Sequence, residues 1–288
     1  MIDPLFLAEA AVNGLLLGGV LALLALGLNL IFGVVDIVWI AYVDLVMICM
    51  YAVYFIVQVY GWPIWVGGLA SVALGALLGL AVHLLIISPI LTSAPVNQLL
   101  ATGGLLFFLQ SFATFLWTTD HRSVRLTLPR LELFDMPISV ARLVAFTLSI
   151  LVMLGLYLFL TRTYIGTAIR AVSQDREAMA LMGANPQRVY LVTSAVGGAM
   201  AGVAAALLII QYAVHPFFGA AFGPITFMIC VLGGLGNMVG AFIASFIMSE
   251  VIAISGVIWS TEMGYVIAFV FFIVMIFVRP GGILARRG

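Results

Sequence analysis

The sequence predicts an all-α integral membrane protein, a multi-span helical bundle of about 8–9 spans with one segment short or re-entrant. Three observations predict it. Hydrophobic residues make up 65% of the 288 positions, charged residues only 8%, and mean hydropathy is +1.29. A soluble domain of this length has no interior large enough for that apolar surface, so lipid must be the solvent. Apolar runs of crossing length follow one another along nearly the whole chain. One internal stretch, residues 162–188, is instead polar and charged.

A crossing of the ~30 Å hydrocarbon layer takes roughly 20 apolar residues. By that measure spans fall at about 8–32, 37–58, 63–87, 97–118, 141–161 and 190–213. The run 222–257 is apolar but broken at Gly233 to Asn237, GGLGN. Taken as a tight turn, the break leaves a short or re-entrant segment at 222–235 and a full span at 238–257. A last span covers about 263–278. Glycines recur at four-residue spacing in Gly14/Gly18, Gly75/Gly79, Gly198/Gly202 and Gly236/Gly240. Such pairs let helix backbones approach closely and pack by dispersion. Without repeats, low-complexity stretches or linkers, a single membrane domain over 1–288 is expected.

The first residues carry Asp3 and Glu9 where a cleavable signal carries positive charge, so no signal peptide is expected. Net charge is zero, which gives no case for nucleic acid. Cys49 and Cys230 sit in apolar runs without metal spacing and read as packing residues. No lysine occurs anywhere. A Walker A site needs one, so the chain is not expected to hydrolyse ATP itself. Neither a nucleophile–base pair nor a metal-ligand cluster is recognisable, so no enzyme activity and no cofactor are expected. The TTDHR run at 118–122 lies in a loop and lacks a further ligand group.

Orientation follows from arginine. Arg162, Arg170, Arg176 and Arg188 in the island, with Arg279, Arg286 and Arg287 in the tail, make seven. Arg122, Arg125, Arg130 and Arg142 make four between the fourth and fifth spans. The positive-inside rule puts the island and tail in the cytoplasm, the N-terminus and the 119–142 loop outside. This holds only if the 222–235 segment crosses.

Within the island, Ser173 reads as a helix N-cap, with Asp175 and Glu177 near the first turn, where acids suit the helix dipole. Gly183 is placed to end the helix, and Pro186 to discourage its resumption. The expected helix of about 9 residues spans ~13 Å, too short to cross a membrane. An apolar side from Ala178, Met179, Leu181 and Met182 suits either the headgroup region or a groove on a partner protein.

Glu177-Ala178 followed by Gly183 resembles the EAA-type coupling loop of ABC importer permeases. The longer string GTAIRAVSQDREAMALMGANPQRV resembles the LIV type, the permeases of branched-chain amino-acid importers and their urea and amide relatives. ALGLNLIFGV (25–34), VLGGLGNMVGAFIAS (231–245) and FVRPGGILARRG (277–288) look like further family segments, so the resemblance covers nearly the whole chain. It implies a permease subunit of an ABC importer in the bacterial inner (plasma) membrane. Its implied partners are a second permease subunit, two cytoplasmic ATP-binding subunits, a periplasmic substrate-binding protein and membrane lipid. It also implies that residues 162–188 form a cytoplasmic coupling loop whose Arg170, Asp175, Arg176, Glu177, Ala178 and Gly183 engage the ATPase. The cargo would be a branched-chain amino acid or a related small polar substrate. The family's Asn-Phe-Ala-His-Gly-type run is replaced here by WIAYVDL (39–45), without the histidine and glycine, and the sequence does not name the substrate.

Asp36 and Asp44 lie near the start of the second span, His83 in the third and Glu250 in the penultimate. A charge at mid-bilayer costs at least about 2.5 kcal/mol, so each must face protein or water. Asp44, Glu250 and Asn237 are the candidates for the translocation path, against a purely structural role for the two acids. His83 reads as a satisfied interior histidine. The loop 119–140 is a candidate docking surface for the binding protein. An alternative function is a stand-alone secondary transporter or channel, where broken helices and intramembrane acids also occur.

Overall fold

The structure, a computed structural model, describes residues 4–124, 130–133, 136–183, 185–279 and 281–283. Arg125, Arg286 and Arg287 of the orientation argument lie outside the described residues. The long helices are α1 (Pro4–Val35), α2 (Tyr42–Val59), α3 (Ile64–Ile90), α4 (Pro95–Trp117) and α5 (Val140–Arg162). After the island's α6 (Tyr164–Gln174) and α7 (Arg176–Leu181) come α8 (Pro186–Leu208), α9 (Phe218–Gly233), α10 (Met238–Ile258) and α11 (Thr261–Val278). Eight helices are long and apolar enough to cross a membrane, and α9 is the short ninth segment. The predicted all-α bundle with one short span is the fold observed. Between α4 and α5 a two-stranded antiparallel hairpin pairs β1 (Arg130–Leu133) with β2 (Met136–Ser139), where a plain loop is expected from sequence.

The most buried helix is α1, with residues 18–31 closed off from the surface, and α8 and α2 follow. The glycine pairs explain how helices come this close without a hydrophobic drive between them. A Cβ at Gly75 would overlap the Gly198 carbonyl, one at Gly198 the Gly75 carbonyl, and one at Gly202 the Ser71 carbonyl. The seam between α3 and α8 is therefore backbone against backbone, locked by Ser71 Oγ donating to Gly202 O at 2.7 Å. Gly14 and Gly18 meet Glu250, Ala253, Ser249 and Phe246 of α10, and Gly240 closes on Gly233. Three of the four pairs lie wholly at helix–helix contacts, and in the fourth Gly236 brings the turn between α9 and α10 against α1.

The ends of the bundle are identified by long-range contacts. At one end Asp36, just after α1, pairs with Arg176 of the island. There too Gly33 abuts Gly236, and the tail's Ile283 N–H donates to Leu232 O at 2.8 Å. At the opposite end Arg122 and Val214 exchange two backbone hydrogen bonds of 2.9 and 2.8 Å. There also Arg142, in the first turn of α5, donates to Asn13 Oδ1 at 2.6 Å. Helix α9 starts shortly after Val214 and finishes beside the tail, so it runs between the two ends and completes the even number of crossings that the arginine argument needs.

The island departs from expectation in three details. Ser173 is not the cap: it lies inside α6, and its hydroxyl donates back to Arg170 O at 2.8 Å. The N-cap is Asp175, extended at φ −153°, whose Oδ1 accepts from Ala178 N–H at 2.9 Å. A carboxylate at the positive helix end outcompetes a hydroxyl. Ile169 and Val172, buried one turn apart, meanwhile hold α6 helical past Ser173. The helix that follows has 6 residues, not about 9. Pro186 does not delay the next span but opens it at the first helical position, behind Asn185, whose side chain accepts from Gln187 and Arg188 N–H. Gly183 ends the island helix at φ +84°, as read from sequence.

Candidate functional site

Two places concentrate polar groups that the fold does not need for its own packing. The first is the island. Thr163 caps α6, its hydroxyl accepting from Gly166 N–H at 3.0 Å, and Gly166 lets the chain turn tightly over Phe159 and Leu160. Helix α6 buries Gly166, Ile169 and Val172 and leaves Arg170 exposed. Glu177, Ala178 and Gly183 are exposed on or just past α7, and Leu181 and Met182 project at 88% and 84% exposure. Arg176 turns the other way. Its guanidinium reaches Asp36 at 3.4 Å and lies 5.8 Å from the Tyr190 ring centroid at the start of α8.

Asp36 begins the second site. It holds a left-handed backbone at φ +62°, a strained conformation that Asp tolerates better than most residues. The chain from Asp36 to Ala41 is non-helical. Such backbone survives at depth only where protein covers it, and Thr102 Oγ1 of α4 donates to Val38 O at 3.1 Å there. Helix α2 then starts inside the bundle, because Tyr42 Oη donates to Gly197 O at 3.0 Å, midway along α8. Two residues on, Asp44 is 1% exposed. Gln110 Nε2 of α4 donates to Asp44 Oδ1 at 3.0 Å. The carboxyl lies against Gly219 in the first turn of α9, where a Cβ would overlap it. The starts of two helices, α2 and the short α9, therefore converge on one acidic side chain. Trp39 Nε1 and Tyr51 Oη are buried donors without a partner among the described residues.

The other candidates from sequence stand apart from Asp44. Glu250 lies against Gly14 and lines an almost wholly apolar groove of about 690 Å³ between α1, α10 and α11. Asn237 caps α10, its side chain accepting from Gly240 N–H at 3.0 Å. It sits in the GGLGN break, next to the contact in which Gly236 N–H donates to Asn29 Oδ1 at 2.8 Å. His83 is the satisfied interior histidine expected, with Nδ1 2.8 Å from Ser194 Oγ. Cys49 and Cys230 are buried and free. Sequence reasoning missed Gln110 and Gly219. A glutamine in an apolar helix was the available signal for the first, and Gly219 carries none until its neighbour is known.

At the end opposite the island, the His121 and His215 rings lie with centroids 4.5 Å apart, tilted by 32°, beside the Arg122–Val214 bridge. Burial, and then the charge of His121, lower the His215 pKa from the ordinary histidine value.

Residues 10–278 match the family model described as the branched-chain amino acid transport system / permease component. The high-affinity branched-chain amino acid transport system permease protein LivH of Escherichia coli (strain K12) is 30% identical over 98% of this chain and 96% of its own length. The corresponding permease protein BraD of Pseudomonas aeruginosa is 29% identical over 96% of this chain and 95% of its own. A probable branched-chain amino acid transport permease protein LivH of Methanocaldococcus jannaschii is 33% identical over 34% of this chain. No solved structure gives a significant match.

Proposed function

The chain belongs to the branched-chain amino acid transport system permease family, and from that premise we propose how its two polar sites couple a cytoplasmic ATPase to a membrane pathway. It is a multi-pass membrane permease component of an ABC importer. Our reading adds the partners: a second permease subunit, a pair of ATP-binding subunits beneath the island, and a periplasmic binding protein at the opposite end. The island end is then cytoplasmic, and the membrane is the bacterial inner membrane.

In this reading Leu181 and Met182 seat in a groove on the ATPase. Glu177 and Ala178 fix the fit, Gly183 supplies the turn, and Arg170 and Asp175 shape the rim. Two exposed apolar side chains on a helix tip have no use within the monomer and fit a partner's groove. Arg176 serves a different purpose from its neighbours, because it faces inward.

The observation that carries the proposal is the Arg176–Asp36 pair, since it joins the docking knob to the non-helical segment that leads into Asp44. Exposed at 43% and 67%, the pair contributes no more than about 1 kcal/mol to stability. What it provides is a mechanical link. A push on α7 pulls on Asp36, which is already in a strained conformation, and so on the start of α2. The convergence of α2, α4 and α9 at Asp44 is the point at which the pathway opens or closes. The substrate class is that of the relatives, a branched-chain amino acid or a similar small polar solute.

The test is substrate-stimulated ATP hydrolysis by the assembled transporter in liposomes. Leu181→Asp should sharply weaken ATPase co-purification. Asp36→Asn should leave the complex assembled and lose stimulation. An Asp36→Asn complex that couples normally would remove the link while leaving the docking role standing.

A further inference from the structure

Opposite the island, where α1 and α5 begin and α8 ends, lies a polar pocket of about 340 Å³. Its lining includes Glu9 and Asn13 of α1, Ser139 and Arg142 at the start of α5, and Ile210 and Gln211 just after α8. The volume suits a small molecule or a headgroup, being within the range of about 300–1,000 Å³ usual for ligand sites.

The polar groups divide by sign. Gln211 Nε2 is a buried donor without a partner among the described residues. Leaving such a donor unmade costs about 1–3 kcal/mol, which a ligand acceptor recovers once the amide, closed off from solvent as it stands, turns into the pocket. The Arg142 guanidinium uses one N–H on Asn13 Oδ1 and keeps others for a ligand. Ser139 holds the N-cap position of the 23-residue α5, but its hydroxyl makes no capping hydrogen bond. These donors gather at the positive end of a helix. Glu9, one turn before Asn13 on α1, supplies the acid. The only ion pair among the described residues is Arg176–Asp36, so Glu9 and Arg142 share a pocket without pairing.

We propose that this pocket binds a zwitterion. A carboxylate or phosphate is held by Arg142, Gln211 and the start of α5, and an ammonium by Glu9. A lone anion would leave Glu9 facing like charge, and a lone cation would leave the Gln211 donor unmet. A zwitterion satisfies both without adding net charge. That chemistry has two natural sources at a membrane surface, a free amino acid and a phosphatidylethanolamine headgroup. The site is separate from Asp44, whose neighbours are Gln110 and Gly219. It does not depend on the coupling reading, because binding is measured without ATP.

The test uses the full-length chain in lipid nanodiscs. One arm measures binding of radiolabelled L-leucine in phosphatidylglycerol discs. The other measures, by native mass spectrometry, phosphatidylethanolamine retained in competition with phosphatidylglycerol. Saturable binding is expected in at least one arm, weakened about tenfold or more by Glu9→Gln and equally by Arg142→Gln. Leucine binding identifies a solute site, and phosphatidylethanolamine retention a lipid site. If either charge variant misfolds, Gln211→Leu must give the same loss. The proposal is overturned if leucine does not bind and phosphatidylethanolamine is retained no better than phosphatidylglycerol, or if Glu9→Gln or Gln211→Leu leaves the observed binding unchanged.

Discussion

Along the α3–α8 seam, Gly75, Gly79, Gly198 and Gly202 bring two backbones into contact, and Ser71, Ser194 and His83 find their partners within the chain. In the α6–α7 knob, Leu181 and Met182 stand almost fully exposed, and the anchoring pair Arg176–Asp36 is itself half in solvent. Helices in lipid gain nothing by hiding apolar surface from one another, so the seam relies on close contact and dispersion. On the proposed orientation the knob is in water, where two bare apolar side chains are unfavourable until something covers them. The seam is thus complete as it stands, while in the proposed reading the knob is finished by a partner. Intolerance to substitution should therefore appear as lost folding in the first region and as lost coupling in the second.

Four experiments break or sharpen that contrast, and they are ordered by expected effect. Gly198→Leu drives a side chain into the Gly75 carbonyl. Overpacking of this kind costs about 1–3 kcal/mol or more, and here the obstacle is backbone that cannot step aside. Loss of the monodisperse peak in detergent is the expected result, and normal yield would mean that the seam is looser than described. Next, Leu181→Asp should weaken ATPase retention at least about tenfold, or ~1.4 kcal/mol, with the permease fold unchanged by circular dichroism. A stable complex would show that the knob docks through other residues.

Asp36→Asn and Arg176→Gln should each cut substrate-stimulated hydrolysis severalfold while shifting the melting temperature little, since an exposed pair is worth about 0–1 kcal/mol. The double exchange Asp36→Arg with Arg176→Asp should restore part of the coupling. Failure of the exchange to rescue, with both single variants inactive, would point to separate roles for the two residues.

The smallest effect concerns His215. Its folded pKa is depressed, so the unfolded chain takes up a proton more readily. Above the ordinary histidine value, near 6.5, both states are neutral and nothing changes. As pH falls below that value, the unfolded state binds the proton first and stability declines, until the lowered folded pKa is also passed. The melting temperature should drop modestly over that window, and His215→Phe should flatten the drop. An unchanged slope would remove the His121–His215 pair as its source.

Much of this architecture was legible along the chain. Span lengths, the GGLGN break and the left-handed Gly183 follow from local rules, so their positions emerge within a few residues. The island was visible as charge among hydrocarbon, and the resemblance of its string to branched-chain permeases agrees with the family to which the chain belongs. The misplaced cap shows where local rules stop. Ser173 and Asp175 both suit an N-cap, and burial of Ile169 and Val172 decided between them.

The amino-acid sequence by itself determined that this chain lives in lipid and where most of its spans fall, because those properties depend on contiguous hydrophobicity and short-range capping; whether the short 222–235 segment crosses was left to the structure. Only the tertiary structure decided that Asp44 meets Gln110 and Gly219, that Arg176 turns inward to Asp36, and that Glu9 shares a pocket with Arg142. Each of those meetings joins residues tens to hundreds of positions apart. Helix packing brings them together, and no local pattern encodes which distant face a side chain will find.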